Sequence, residues 1–383
     1  EALQRFHQNL GRGLLGRRVE RSPLPFGRHH WVAWPGPADL DVAAQAVRPD
    51  RIVAWTDAQA GLPIDPEHGP SWRLAVQPLT NGGTAVTLAL SHTVADGVGA
   101  TLSVADAANG VTRDLGYPPP GVRARRKALR EDLRQFTRDV PDLGRALVAT
   151  ARLARGDRKV SRPPVQVPKS GIPGDSGAVA IPSVTVHVPL EAWDGVAKSL
   201  GGTSNSLVTG FAAKLGRNLG WSVDGAPANM AIPVNERVEG DTRGNALTAV
   251  DMAVDDSFVT ADLRAVRADL KTQLSRLEGS SYELLGPLPL VPLVPRAVAR
   301  RLGTVVADGT VIGCSNIGEL DPVVNRPDGT DAAYMSIRMS EHLSRADLRR
   351  SGGVFFPVVS GRVNGAIFIS VGFTDADAAT TRE

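Results

Sequence analysis

Residues 72–90 constrain the fold more than any other stretch. Trp72–Leu79 (WRLAVQPL) alternates apolar and polar residues with the period of a half-buried strand. Asn81-Gly82-Gly83 follows, three residues that favour a tight reversal because they accept positive φ. Thr84–Leu90 then runs back as a second apolar segment. Together they predict a β-hairpin whose second strand delivers His92 to an edge, with Asp96 four residues on and Gly97 after it.

At 383 residues the chain exceeds what one core fills, so two domains are expected. The stretch 161–177 (SRPPVQVPKSGIPGDSG) has the proline, glycine and serine content of a linker. We therefore expect an N-terminal domain over 1–160, a crossing linker over 161–180 and a C-terminal domain over 181–383. In the first, residues 1–16 begin as a helix and end in glycines, and His29-His30 leads into a strand at Trp31–Trp34. Residues 122–159 read as a long arginine-rich helix. Leu129, Leu133, Phe136 and Val140 recur there at three and four residues, which predicts a narrow buried stripe with the arginines on the solvated face, anion or membrane binding being the alternative.

Beyond the linker, strands are expected at 184–188, 228–233, 247–254, 311–314, 353–359 and 366–373. Helices are expected over 189–200, 205–221 with Ser204 as N-cap, and 257–277. Val363-Asn364-Gly365 marks a second hairpin turn. Strands mixed with helices in both halves argue for two α/β sandwiches. Gly286–Leu302 (GPLPLVPLVPRAVARRL) has two readings: a buried loop on the core, or an apolar, arginine-flanked patch lying on a membrane surface or lining a lipid channel.

Several classes are excluded. One cysteine, Cys314, rules out an internal disulfide framework and a cysteine-cluster metal site, and suits a reducing, cytoplasmic setting. No run approaches 18 apolar residues, so lipid contact is limited to the surface. The net charge of +3 permits a basic patch without demonstrating one. GxSxG, P-loop and HExxH patterns are absent. Gly11, Gly13 and Gly16 spell GxGxxG, but a polar helical stretch precedes them and Arg17-Arg18-Val19-Glu20 follows. The strand and helix that a dinucleotide fingerprint needs are missing.

His92 suits a general base, since histidine titrates near working pH and a strand end places it rigidly. Asp96 need not pair with it; an aspartate there more naturally fixes the loop by accepting hydrogen bonds or an arginine. Gly97 lets a substrate approach the backbone, or turns its N–H toward a developing oxyanion. The remaining histidines, His7, His29, His30, His68, His187 and His342, carry no accompanying chemistry.

Ser91-His92-Thr93-Val94-Ala95-Asp96-Gly97, after a hairpin in the first half of the chain, resembles the HxxxDG core of the chloramphenicol acetyltransferase-like superfamily. Further segments are most similar to its bacterial wax ester synthase/diacylglycerol acyltransferase branch: Pro70-Ser71-Trp72, Ser204-Asn205-Ser206-Leu207-Val208, Pro233-Val234-Asn235-Glu236-Arg237 with Gly244-Asn245, and Ser315-Asn316-Ile317-Gly318. Two positions depart from that pattern. Ser91 stands where the family carries a first histidine, and Ser206 where it carries aspartate.

The resemblance implies two acyltransferase-like α/β sandwich domains in a V-shaped pseudo-dimer with a tunnel between them. His92 would be the base, Asp96 would hold the loop with Arg237 as its partner, and Asn245 would lend structural support. Gly97 and Asn316 would donate to the thioester oxygen, with Ser91 and Ser315 contacting substrate. It implies no metal, no cofactor beyond acyl-CoA as co-substrate, and no nucleic acid. The first functional expectation is an acyl-CoA-dependent O-acyltransferase acting on a long-chain alcohol or diacylglycerol, with peripheral membrane or lipid-droplet contact. The second is a condensation-type or tailoring acyltransferase fed by a carrier protein, and the third a non-catalytic lipid-binding relative.

Overall fold

The structure, a computed structural model, describes residues 1–154, 181–220, 226–277, 288–294, 311–341, 348 and 354–375. The chain divides into two compact units. The first holds residues 1–139 together with 235–247 and 321–333, and the second holds the rest. Two segments that the sequence reading assigns to the C-terminal half thus pack with the first unit. The expected linker, 161–180, lies outside the described residues, as does His342.

The first unit runs α1 (Ala2–Leu10), β1 (Arg17–Glu20), β2 (His30–Ala33), β3 (Asp41–Val42), α2 (Ile52–Ala60), β4 (Trp72–Pro78), β5 (Thr84–Leu90), α3 (Gly97–Ala108) and the first half of α4 (Arg125–Ala154). β4 and β5 form the expected hairpin, in register from Trp72 opposite Leu90 to Pro78 opposite Thr84. Gly82 takes φ +84° in its turn, which explains the glycine. β4 is not half-buried. Leu74, Ala75, Val76 and Gln77 are all buried, because β4 is the central strand between β3 and β5. Gln77 is accommodated there by donating to the carbonyls of Gln45 and Pro78 at 2.7 and 3.0 Å.

Phe6, Leu10, Leu15, Trp72, Leu74, Val94, Ala95 and Ala107 form this unit's core. Trp72 is fully buried, and its indole N–H donates to the Leu15 carbonyl at 3.0 Å. The glycines that mimic a nucleotide fingerprint serve close packing. A Cβ on Gly11 would meet the Pro35 oxygen at 1.8 Å, and one on Gly16 the Gly11 oxygen at 2.4 Å.

α4 corrects the predicted stripe. Leu133 and Val140 are 53% and 51% exposed, whereas Ala128, Asp132, Asp139 and Ala146 are buried. The helix docks on polar partners: Asp132 accepts from Ser22, Arg123 and the His30 ring, and Asp139 pairs with Arg28. Those partners fix its rotation: Leu133 and Val140 turn outward, while Leu129 stays half-buried and Phe136 meets the Phe26 ring, centroids 4.9 Å apart.

The second unit contains β6 (Ser183–Pro189), α5 (Leu190–Ser199), α6 (Ser204–Asn218), β7 (Ala228–Asn235), β8 (Leu247–Val254), α7 (Arg264–Leu277), β9 (Val311–Glu319), β10 (Val354–Phe355), β11 (Pro357–Val363), β12 (Ala366–Gly372) and β13 (Thr374–Asp375). Six of these strands form one mixed sheet in the order β6-β12-β11-β9-β7-β8, and the pairs β11–β9 and β7–β9 are parallel. The β11–β12 turn has Asn364 and Gly365 at φ +49° and +73°, as an Asn-Gly hairpin requires. Val208, Ala212 and Ala213 of α6 pack with Met230, Ile312, Cys314, Val358 and Ile367 in the core.

Three expectations shift here. The cap of α6 is Thr203, in a reciprocal capping box with Ser206, while Ser204 accepts the Trp193 indole N–H instead. α7 begins at Arg264 rather than 257, because residues 257–263 form turns that bury Val259 and Leu263. Within the proline-rich 286–302 stretch, the described residues form a 3₁₀ helix at Leu288–Leu293 with Val291 and Leu293 exposed, so that part is not buried. Among the described residues no helix is long and apolar enough to cross a membrane.

Candidate functional site

β5 ends at Leu90, and the next residues turn sharply before α3 begins at Gly97. The Ser91 N–H donates to the Ser71 carbonyl at 2.9 Å, which ties the turn to the Pro70-Ser71-Trp72 segment. The Ser91 hydroxyl accepts the Thr93 N–H at 3.2 Å, and the Val94 N–H closes on the Ser91 carbonyl at 3.0 Å. Ser91 therefore braces the turn locally, a task suited to a short hydroxyl side chain. His92 is exposed at its crest, and its ring has no hydrogen-bond partner among the described residues.

Asp96 faces inward. One carboxylate oxygen, Oδ1, accepts the Gly99 N–H at 2.7 Å and so caps α3. The other, Oδ2, accepts the Ala246 N–H at 2.7 Å and the Arg237 guanidinium at 2.8 Å. Both side chains of the ion pair are almost wholly buried, at 3% and 2% exposure. Burial alone would raise the Asp96 carboxyl. Hydrogen bonds from the Ala246 and Gly99 amides, together with Arg237, outweigh it and hold the group below its ordinary value. Asp96 is thus an ionised anchor whose oxygens are occupied by donors other than His92.

The segment 235–247 supplies most of that cage. Arg237 also donates to the carbonyls of Asp241, Arg243 and Gly244 at 3.1, 3.1 and 3.2 Å, which curls the segment around its guanidinium. The Gly244 carbonyl accepts the Asp96 N–H at 2.9 Å. A Cβ on Gly244 would meet the Thr93 oxygen at 2.5 Å, so only glycine fits there. The adjacent Asn245 donates from Nδ2 to the His92 carbonyl at 3.0 Å. The backbone on which His92 rides is therefore held from this segment.

Arg17 completes the arrangement, and the sequence reading passed over it. It is fully buried and donates to the Val94 carbonyl at 2.6 Å, the Thr242 carbonyl at 2.5 Å and the Tyr117 hydroxyl at 2.8 Å. Its guanidinium lies over Trp31, 4.1 Å from the ring centroid. Burial pulls the guanidinium below the ordinary arginine value, with Tyr117 opposing that shift. The only signal in the sequence was an arginine opening a short strand directly after a glycine. Its partners stand 77, 100 and 225 positions away, beyond any local pattern.

Ser91, His92, Asp96, Gly97, Arg237 and Asn245 all belong to the first unit, whereas Ser315 and Asn316 belong to the second. Asn316 lies on β9; its Nδ2 donates to Asn205 in the first turn of α6, and its Oδ1 accepts the Gly318 N–H at 3.1 Å. The Ser315 carbonyl accepts the Ser360 hydroxyl at 3.5 Å. Cys314 beside them is buried, which pushes its thiol up to about 12 and leaves no thiolate at neutral pH, even with a hydrogen bond involving Thr209. No cluster of metal-ligating side chains occurs among the described residues.

No protein-family model and no curated protein sequence matches the chain. Solved structures do match. The first condensation domain of the CDA synthetase aligns over 97% of this chain and 81% of its own, at 15% identity and a TM-score of 0.53. The EpoB NRPS cyclization-docking bidomain from Sorangium cellulosum aligns over 98% and 73%, at 14% identity and a TM-score of 0.55. The wax ester synthase/diacylglycerol acyltransferase from Marinobacter aquaeolei VT8 aligns over 94% and 79%, at 16% identity and a TM-score of 0.51. The shared feature is the fold, a mixed α/β architecture common to this chain and these proteins.

Proposed function

We propose that the protein is an acyltransferase that moves an acyl group from a thioester to a hydroxyl, with His92 as general base. The observation that carries this reading is the division of labour between His92 and Asp96. The carboxylate is sealed in a cage of donors, while the imidazole stands exposed on a turn whose carbonyls are gripped by Asn245 and Arg17. A base needs its backbone fixed and its ring free, and this loop has both.

The imidazole takes the proton from the acceptor hydroxyl as its oxygen attacks the thioester carbonyl carbon. The carbonyl electron pair moves onto oxygen, and the resulting oxyanion needs nearby donors. We assign the Gly97 N–H, in the first turn of α3, to that role. When the tetrahedral intermediate collapses, the C–S bond breaks and the thiolate takes the proton back from the imidazolium. We further assign Ser91, Ser315 and Asn316 to substrate contact on the resemblance described above, with Asn316 as a second donor.

Within this class the first reading is an acyl-CoA donor with a long-chain alcohol or diacylglycerol acceptor, in the cytoplasm or at a membrane periphery. A carrier-protein-bound donor is the second reading. Ser91 in place of the first histidine favours it, as does the likeness of the fold to domains of peptide synthetases. Thiol release from palmitoyl-CoA, with and without hexadecanol or dioleoylglycerol, tests the first reading against His92→Ala. Acceptor-dependent release lost in the variant supports it. Equal release by both proteins removes His92 from the chemistry. Release only from a carrier-bound acyl group moves the assignment to the second reading.

A further inference from the structure

We propose that the outer face of α4 docks on an anionic lipid surface. This inference deepens the membrane-periphery part of the proposed function and does not depend on the chemistry of His92. The exposed side of the helix carries two adjoining rows. Leu133, Val140 and Leu147 recur every seven residues and are 53%, 51% and 59% exposed. Arg126, Arg130, Arg134 and Arg138 recur every four and are exposed, with no ion pair to any described residue.

The inward face explains why these arginines lack partners. Asp132 and Asp139, which a solvated helix would use to balance its cations, are buried against Ser22, His30, Arg123 and Arg28. Glu131 is engaged by Arg123 and Lys127, and Asp142 by Arg145. The helix thus spends its carboxylates elsewhere and presents a cationic row beside an apolar one. That is the pattern of a helix lying in the headgroup layer, with leucine and valine entering the acyl boundary and arginine meeting phosphate.

A lipid surface fits better than an acidic protein. An acidic protein would leave the adjoining row of Leu133, Val140 and Leu147 unused, whereas a lipid surface takes up both rows, apolar and cationic. A fluid headgroup layer asks for charge density and no fixed geometry.

The test uses the full chain with Leu133→Cys carrying an environment-sensitive fluorophore. The native Cys314 is buried, so labelling is confined to position 133. Val53→Cys on α2, at a site 48% exposed, serves as the control. With vesicles of phosphatidylcholine and phosphatidylglycerol, the protein should co-sediment and the probe at 133 should shift to the blue, while the probe at 53 should not. With phosphatidylcholine alone neither should occur. Replacing Arg126, Arg130, Arg134 and Arg138 together by Gln should weaken vesicle binding by about a hundredfold or more. These exposed side chains hold nothing in place, and an unchanged circular dichroism spectrum would certify the fold. Equal binding to both vesicle types, or a charge variant that binds like the wild type, would overturn the proposal. So would co-sedimentation without a shift at 133, which would place the lipid contact on another face of the molecule.

Discussion

Two buried aspartates in the first unit, Asp96 and Asp132, perform the same elementary task by different chemistry. Each brings a negative charge inside, meets an arginine and ties distant segments together. Asp96 is gripped mainly by the backbone, through the amides of Gly99 and Ala246 at 2.7 Å each, with Arg237 closing the cage. Among the described residues Asp132 is gripped only by side chains: Ser22 on one oxygen, His30 and Arg123 on the other. The partners of Asp96 are all obligate donors. One partner of Asp132, the Ser22 hydroxyl, can rotate to accept. The first cage thus tolerates nothing but a carboxylate, whereas the second has one adaptable wall. The rigid cage lies under the turn that carries His92, and the adaptable one pins a helix.

The sharpest way to break this comparison is Asp96→Asn. Whichever way the amide is flipped, its NH₂ faces either the Gly99 N–H or the Ala246 N–H with Arg237, and donor meets donor. Breaking a buried ion pair on one side costs about 3–5 kcal/mol, and the asparagine variant should fall in that range by urea unfolding. The wild type should also show an acid limb of a definite sign. The folded-state value of Asp96 lies below its ordinary 3.8, so its contribution is fully present above that value. It is lost as the pH falls through the depressed folded value. Asp96→Asn should lack this portion of the acid dependence. An asparagine variant as stable as the wild type at pH 7 would mean that the cage does not exclude a neutral side chain.

Arg17→Met comes next and separates stability from placement. Arg17 is a buried cation without a carboxylate partner among the described residues, and its hydrogen bonds go to two carbonyls and a hydroxyl. Methionine leaves the Val94 and Thr242 carbonyls without it, but also removes the cost of burying a charge. The net loss should be about 1–2 kcal/mol, less than for Asp96→Asn. Loop placement should suffer more than stability. Amide exchange at Val94–Asp96 should quicken, and any turnover that depends on His92 should fall in kcat with little change in KM. Unchanged exchange at those amides would show that the turn does not need Arg17.

Legibility follows the same line between local and distant causes. Both hairpins could be read directly, because strand alternation and Asn-Gly turns are written in neighbouring residues. The Asp96–Arg237 pairing was expected only from the resemblance of Pro233–Arg237 and Gly244-Asn245 to a family pattern. No periodicity connects positions 141 residues apart. The rotation of α4 departs from the apolar row: Leu129 and Phe136 stay half-buried, but Leu133 and Val140 are exposed and the fully buried positions are alanine and aspartate. Burial of Asp132 is decided by Ser22, His30 and Arg123, and nothing in the helix itself announces them. Arg17 escaped notice for the same reason.

The smallest effect belongs to Asp132→Asn, and it is the control that gives the first prediction its meaning. Asparagine can keep its oxygen toward His30 and Arg123 while its NH₂ donates to a rotated Ser22 hydroxyl, so no donor is left facing a donor. The substitution loses one charge-assisted component and should cost about 1 kcal/mol. Asp132→Leu should cost distinctly more, because Ser22, His30 and Arg123 all lose an acceptor, and Arg123 keeps only Glu131 and the Ala128 carbonyl. Paired urea titrations of Asp96→Asn and Asp132→Asn, two identical chemical changes in one unit, measure the difference between a cage built of backbone amides and one built of side chains. Equal losses would mean that burial of the charge governs both sites and that the identity of the donors is immaterial.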